Sequence, residues 1–139
     1  MIETQTITYK TDLDGIDWVA LTARLKADNF DNGRTPDQLR RSFENSFTYC
    51  FATAGDEIVG KVRCLSDGVG NAYIVDVWTY TPYRNQGVAR RMMETVFERL
   101  PGQHVYLFTA SAVEFYRKLG FHEQEIGMGR VIGQYLVES

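Results

Sequence analysis

The chain has 139 residues, of which 44% are hydrophobic and 24% charged, and its formal net charge is −3 at pH 7. These values are those of a globular domain with its own core, and they exclude disordered and collagen-like chains. The small negative charge argues against general nucleic-acid binding. No apolar run is long enough to cross a bilayer and the N-terminus lacks the pattern of a secretory signal. We therefore expect one domain over residues 1–139, cytoplasmic and not bound to a membrane.

Hydrophobic periodicity and turn residues predict strands and helices along the whole chain. A strand at 7–9 precedes a helix at 16–25 and a second helix, which Thr35 caps and Pro36 begins and which ends near residue 46. A hairpin over 47–54 and 57–65 turns at Gly55 and Asp56. The later elements are a strand at 72–79, a helix at 88–100, a parallel strand at 105–108, a helix at 112–119 started by a Ser111–Glu114 capping box, and closing strands at 121–126 and 130–138.

Both cysteines lie in apolar runs on the two strands of the hairpin. If Ala54 pairs with Glu57, then Cys50 faces Lys61 and Cys64 projects from the opposite face of the sheet. A disulfide would then need a register change or a bulge. We expect buried free thiols and no metal site, because no other ligands accompany the cysteines.

The turn before the helix at 88–100 has an unusual charge arrangement. Arg84, Arg90 and Arg91 crowd a helix start, where the macrodipole already carries about half a positive charge. An anion bound to the free N–H groups of the first turn would explain this placement, and Gly87 would let the anion approach closely. Exposed arginines near a glycine are also an ordinary solvated surface, so the turn alone leaves both interpretations open.

Three segments in order carry a resemblance to a known family. Arg84-x-x-Gly87-x-Ala89 resembles the acyl-CoA signature of the GNAT N-acetyltransferase superfamily, and Asp76-Val77-Trp78-Thr79 and Phe115-Tyr116-x-x-x-Gly120-Phe121 also match. One departure is Thr81 at the family's usual proline, with Pro82 one place later. The resemblance is closest to small enzymes of bacteria and plastids. It implies an α/β (α+β) GNAT fold, a mixed twisted sheet of about six or seven strands with helices on both faces.

The resemblance implies transfer of the acetyl group of acetyl-CoA, the co-substrate, to a primary amine by direct attack, with no metal. Strand residues 77–79 would pair with the pantetheine arm and supply an N–H for the oxyanion, and the turn would hold the pyrophosphate. The implied cofactor-binding residues are Val77, Trp78, Thr79, Arg84, Asn85, Gln86, Gly87, Val88, Ala89 and Arg90.

Two catalytic residues are implied, with different alternatives. Tyr116 matches the tyrosine that returns a proton to the CoA thiolate in many relatives, although a tyrosine beside Phe115 also simply packs. Many relatives carry a glutamate base where this chain has Val75. Asp76, acting through water, is then the candidate base and Tyr73 a weaker one, while an equally suitable role for Asp76 is to anchor a strand bulge.

Acceptor selection in the family involves the loop between the first two helices and the closing hairpin, here 127–130. The loop contributes Asp28, Phe30 and Asp31, and Tyr73 is a further candidate. These would suit a cationic acceptor, either a small arylalkylamine or polyamine or the amino group of a protein lysine or N-terminus. The alternatives are that these side chains are merely solvated, or that the chain is a non-catalytic acyl-CoA-binding module. Dimerisation is common in the family, and the sequence does not decide it.

Overall fold

The computed structural model describes residues 6–137, and the chain divides into two compact units, residues 1–107 and 108–139. The predicted single domain stays a prediction. The first unit contains β1 (Ile7–Lys10), α1 (Trp18–Ala27), α2 (Pro36–Glu44), β2 (Thr48–Ala54), β3 (Glu57–Ser66), β4 (Asn71–Thr79), a 3-10 turn (Thr81–Tyr83), α3 (Val88–Phe97) and β5 (His104–Tyr106). The second unit contains α4 (Val113–Lys118). Within residues 6–137, no helix combines the length and the apolar character needed to cross a membrane.

The five strands form one mixed sheet in the order β1-β2-β3-β4-β5. The first four are antiparallel neighbours, and β5 runs parallel to β4 as the intervening helix predicts. β5 pairs only with residues 71–73 of β4. From Ile74 to Thr79, β4 therefore has a ladder partner only in β3 among the described strands.

The helices of the first unit lie on both faces of the sheet, as predicted. α1 and α2 cover the face that carries Phe51 and Trp78, and the core there is completed by Leu21, Leu25, Leu39 and Phe43. α3 covers the other face so closely that a Cβ added at Gly60 would meet Met92 at 3.0 Å. The apolar stripe of α3 is buried as its periodicity predicts.

The hairpin differs from its predicted register. Ala54 pairs with Glu57 as expected, but a bulge between Ala52 and Thr53 brings Cys50 opposite Val62 rather than Lys61. Because Thr48 pairs with Cys64, both cysteines project from the same face, and the predicted opposite faces are wrong. Both thiols are free and buried as expected, and burial raises the pKa of each to about 11.

The second unit departs most from expectation. The predicted strands at 121–126 and 130–138 are absent over the described part of these ranges, so the sheet has five strands rather than six or seven. Positive φ at Gly133 (65°) and Leu136 (56°) is incompatible with an extended strand, and Ile126 is 92% exposed. The predicted Ser111 cap is also wrong, because α4 begins at Val113.

The hydroxyl of Thr109 accepts the N–H of Ala112 just before α4 begins, at 3.0 Å. A hydrogen bond to the Thr109 side chain thus replaces the expected Ser111–Glu114 capping box. The helix itself lies within the predicted range of 112–119.

The capping box at the start of α2 gives a direct test of its stability. The Thr35 hydroxyl accepts the N–H of Gln38 at 3.1 Å, and the Gln38 side chain accepts the N–H of Thr35 at 3.0 Å. We expect Thr35→Ala to lower the free energy of unfolding by about 1 kcal/mol, measured by urea denaturation. Thr35→Ser keeps the hydroxyl and should stay close to the wild type. Equal losses in both variants would show that the cap is not the cause.

Candidate active site

A bulge in β4 shapes the centre of the site. Val75 pairs with Arg63 and Trp78 with Lys61, so two residues of β4, Asp76 and Val77, lie opposite one residue of β3. Asp76 has a φ of 59°, in the left-handed region. For a residue with a Cβ this conformation costs on the order of 1–3 kcal/mol, and such strain is concentrated at functional sites.

The carboxylate of Asp76 is surrounded by cations. It accepts a hydrogen bond from Arg63 Nε at 2.7 Å and lies 3.9 Å from an Arg34 terminal nitrogen, and the Asp76 carbonyl accepts from Lys61 Nζ at 3.4 Å. Burial by itself would raise the pKa of Asp76, but Lys61, Arg63 and Arg34 bring it below its usual value. The geometry matches the predicted bulge anchor, while a role for Asp76 as base stays a prediction.

Lys61 and Arg63 are site residues that the sequence interpretation did not include. Lys61 is 2% exposed and its ammonium lies 5.4 Å from the Phe30 ring centre and 6.0 Å from that of Phe43. Burial lowers the pKa of Lys61 to about 8. The available signal was two cations spaced two apart in an otherwise apolar strand, which places both on one face.

A small cleft opens beside Asp76 on the face covered by α1 and α2. Its volume is about 10 Å³, near the space that one water molecule needs. It is lined by Thr22, Leu25, Phe30, Asp31, Asn32, Arg34, Leu39, Lys61 and Asp76. Two of the predicted acceptor residues, Phe30 and Asp31, are thus together. Tyr73 is not among the lining residues and pairs instead with Leu65 and Tyr106.

Asp28 organises the segment between β4 and the turn. Its carboxylate accepts from the Trp78 indole at 2.9 Å and from the hydroxyl and N–H of Thr81 at 2.6 and 3.2 Å, and Arg84 lies 3.5 Å away. Burial would raise the pKa of Asp28, but the bonds from Thr81 and Trp78 bring it below its usual value. This explains why threonine stands at the family's proline position, because a proline would supply neither donor. Asp28 is thereby a structural residue rather than an exposed acceptor contact.

The start of α3 has free donors, as the sequence predicts. Gly87 caps the helix at a φ of 80° and no side chain caps it. The first helical hydrogen bond runs from the N–H of Arg91 to Gly87, so the N–H groups of residues 88–90 have no acceptor within the helix. No atom lies within 4 Å of a Cβ added at Gly87.

The remaining predicted cofactor residues have distinct surroundings. Arg84 Nε donates to the Thr79 carbonyl at 3.0 Å, and the Gln86 amide donates to the Pro82 carbonyl at 3.2 Å, so both fix the loop. Arg90 pairs with Glu94 on the helix surface. The buried hydroxyl of Thr79 has no hydrogen-bond partner.

Tyr116 lies on α4 in the second unit. It is 9% exposed, and its ring makes edge contacts with Phe115 and Phe121 at centroid distances of 5.0 and 5.9 Å. Gly120, at a φ of 94°, ends the helix, and the N–H of Phe121 returns to the Tyr116 carbonyl. Burial raises the pKa of Tyr116 above its usual value, so the phenol keeps its proton beyond neutral pH.

Sheet topology, the bulge and the glycine-capped helix together have the arrangement that the resemblance predicts for an acyltransferase. The chain belongs to the acetyltransferase (GNAT) family, whose model matches residues 16–121. A protein named histone acetyltransferase TAP1, from Glycine max, is 33% identical over 75 residues, which are 51% of this chain and 32% of that protein. The chain thus spans about a third of the length of the curated relatives it matches.

Solved structures support the same fold. A GNAT family acetyltransferase from Streptococcus pneumoniae is 23% identical with a TM-score of 0.77, covering 93% of this chain and 100% of that one. Glucosamine-6-phosphate N-acetyltransferase from Arabidopsis thaliana is 16% identical with a TM-score of 0.72, with coverage of 93% and 100%. At these identities the likeness shows the fold alone. With the family match, it confirms the GNAT fold.

We expect Asp28→Asn to destabilise the protein. The amide keeps the shape of the carboxylate, but its NH2 group replaces an acceptor oxygen and would face the donors of Trp78 and Thr81. The loss should be about 1–3 kcal/mol, measured by urea denaturation at pH 7. The pKa of Asp28 is lower in the folded protein than in the unfolded chain. Its contribution to the free energy of unfolding is therefore complete above the unfolded pKa and is lost as pH falls through the folded pKa. The difference between the variant and the wild type should therefore shrink in acid.

The exposed Asp14 gives a matched control. Asp14→Asn makes the same chemical change where the side chain is solvated, and it should leave the free energy of unfolding within about 0.5 kcal/mol of the wild type. An Asp28→Asn protein as stable as Asp14→Asn would contradict the structural role of Asp28.

Proposed function

We propose that this chain is an acetyl-CoA-dependent N-acetyltransferase acting on a primary amine. The observation that carries the proposal is a pair of unsatisfied features that lie eight residues apart in the chain. They are the end of β4 at Thr79, which has no strand partner on the β5 side in the described structure, and the glycine capping α3, which three free N–H groups follow. Acetyl-CoA supplies the thioester when bound, and its anionic and amide-bearing parts match these features.

The start of α3 suits the pyrophosphate. Backbone N–H groups and the helix dipole favour an anion there, and Gly87 leaves the approach clear. Arg84 contributes mainly by fixing the loop, and Glu94 offsets the charge of Arg90. The exposed backbone therefore carries more of the proposed binding than the arginine side chains.

The side of β4 that has no strand partner beyond residue 73 suits the pantetheine arm. Residues 77–79 have no strand partner on the β5 side in the described structure, and an extended amide chain can pair with such an edge. An N–H of the same segment would stabilise the oxyanion, a contribution of about 3 kcal/mol in other enzymes.

Proton transfer sets the remaining requirements. An alkyl amine is mostly protonated near neutral pH and must lose a proton before attack, while the departing thiolate must gain one. Tyr116, whose raised pKa keeps its proton available, is the proposed acid. The lowered pKa of Asp76 makes it a weak base, so water is the proposed first acceptor of the amine proton.

A non-catalytic acyl-CoA-binding module is the alternative, favoured by Val75 at the family's glutamate position. Acetylation of protein amino groups is a further alternative, in line with the name of the Glycine max relative. Turnover of free amines at high efficiency would count against both.

Gly87 and Gly102 form a matched pair for testing the cofactor site. Both have left-handed backbone, with φ of 80° and 74°, and both have open space where a Cβ would lie. Gly87→Ala and Gly102→Ala should lose similar stability, about 1 kcal/mol each. Only Gly87→Ala should weaken acetyl-CoA binding, by about tenfold or more in calorimetric titration, because its Cβ would meet the pyrophosphate. Equal affinities in the two variants would exclude this anion site.

Tyr116→Phe tests the proposed acid. In an assay of free thiol released from acetyl-CoA with an amine panel, we expect kcat to fall about 100-fold while acetyl-CoA affinity is kept. Tyr49→Phe is the matched control, because burial also raises the pKa of Tyr49 but it packs on Phe43 and Phe51 in the core. Unchanged kcat in Tyr116→Phe would remove the tyrosine from the mechanism. If acetyl-CoA binds but no amine in the panel causes thiol release, the non-catalytic binding module is favoured.

A further inference from the structure

We infer that the acceptor amine also carries an anionic group, a carboxylate or a phosphate, which Lys61 and Arg34 bind in the cleft beside Asp76. The inference rests on the proposed function and names the substrate class for that site. It reverses the expectation of a cationic acceptor.

The charges around the cleft do not balance. Arg34, Lys61 and Arg63 surround a single buried carboxylate, that of Asp76. Lys61 is 2% exposed, and the side chains of Arg34 and Arg63 are 14% and 6% exposed. Burying an unpaired ion costs several kcal/mol, so buried charges normally have partners of opposite sign. Three cations around one anion leave an excess positive charge that an anionic ligand group would balance.

Lys61 is the cation with the fewest partners. Its ammonium has three donors, yet its hydrogen bond to the Asp76 carbonyl is long, at 3.4 Å, and its other contacts are the faces of two aromatic rings. The side chain lines the cleft. A buried ammonium that opens onto a cleft with unused donors is suited to a ligand oxygen.

The acidic residues of the preceding loop do not restore the balance. Asp28 is used by Trp78 and Thr81, away from the cleft lining. Asp31 lines the cleft but is exposed, and its carboxylate accepts the N–H of Gly33 at 3.1 Å. Even with Asp31 counted in full, the cations exceed the carboxylates by one.

The position of the cleft fits an acceptor whose anionic group is near its amine. Asp76 immediately precedes the β4 segment proposed to hold the thioester, so a group bound by Lys61 lies close to the transfer point along the strand. Arg34 Nε already donates to Ser42 Oγ, which fixes the guanidinium and leaves one of its terminal nitrogens 3.9 Å from Asp76. A small amino acid or amino sugar phosphate has the required chemistry.

Matched acceptor pairs test the inference in the thiol-release assay. Phenylalanine is compared with phenylalanine amide, and glucosamine 6-phosphate with glucosamine, alongside spermidine and a lysine peptide. We expect the anionic member of at least one pair to have a kcat/KM about tenfold or more above its neutral partner, from charge-assisted hydrogen bonds. Which pair responds distinguishes a carboxylate from a phosphate.

Variants then assign the effect to the cleft. Lys61→Met and Arg34→Gln should each reduce the preference to within about threefold, whereas Lys26→Met, at an exposed lysine of α1, should keep it. Two variants are needed so that a folding defect in one does not decide the outcome. Preference for neutral or cationic acceptors, or an anion preference unchanged in both variants, would overturn the inference while leaving the acetyltransferase proposal standing.

A binding measurement separates the two proposals. With CoA present, N-acetylphenylalanine or N-acetylglucosamine 6-phosphate should raise the Tm of the wild type, whereas their uncharged counterparts, N-acetylphenylalanine amide and N-acetylglucosamine, should not. Lys61→Met should lose the shift. This shift without turnover of any acceptor would support the anion site and contradict the catalytic proposal. Absence of a shift with every anionic ligand would overturn the anion site.

Discussion

The ion pair between Arg63 and Asp76 holds the sheet at the one place where β4 leaves regular geometry. Without the bulge at Asp76, Val77 would pair with Lys61, and Trp78 would turn toward the face of α3. With the bulge, Trp78 packs into the core beneath α1 and α2. Removing either partner of such a buried pair typically costs about 3–5 kcal/mol, since the other charge is left uncompensated. The ion pair with Arg63 therefore stabilises Asp76 in its left-handed backbone conformation.

Trp78 links the bulge to the turn that is proposed to bind the cofactor. Its indole donates to Asp28, and Asp28 also receives the N–H and hydroxyl of Thr81, at the start of the loop that leads to Gly87. Arg84 closes the same loop onto the Thr79 carbonyl. The bulge and the start of α3 are thus joined by a short series of polar contacts, which explains how one strand can position the two proposed parts of the site together.

Local patterns predicted the parts of the structure whose determinants are close in sequence. The hairpin turn, the Thr35 cap, the parallel crossover and the Gly87 turn were all predictable from neighbouring residues. The bulge of the hairpin was not, because it depends on how the strands pack against distant helices, whereas the resemblance already implied the bulge at Asp76. Lys61 and Arg63 were missed as site residues for the same reason. The predicted closing strands were wrong, and Gly127, Gly129 and Gly133, which lie between or within them, are residues that weaken a strand.

The energetics of Lys61 argue that this residue serves the site rather than the fold. A pKa lowered from 10.5 to about 8 corresponds to a cost of about 3 kcal/mol for keeping the charge in the folded state at neutral pH. An apolar side chain of similar length between Phe30 and Phe43 would avoid that cost. Arg63 hydrogen-bonds to the Asp76 carboxylate and Arg34 lies 3.9 Å from it, so the carboxylate has two cationic partners without Lys61. A ligand anion would give the Lys61 charge a partner of opposite sign.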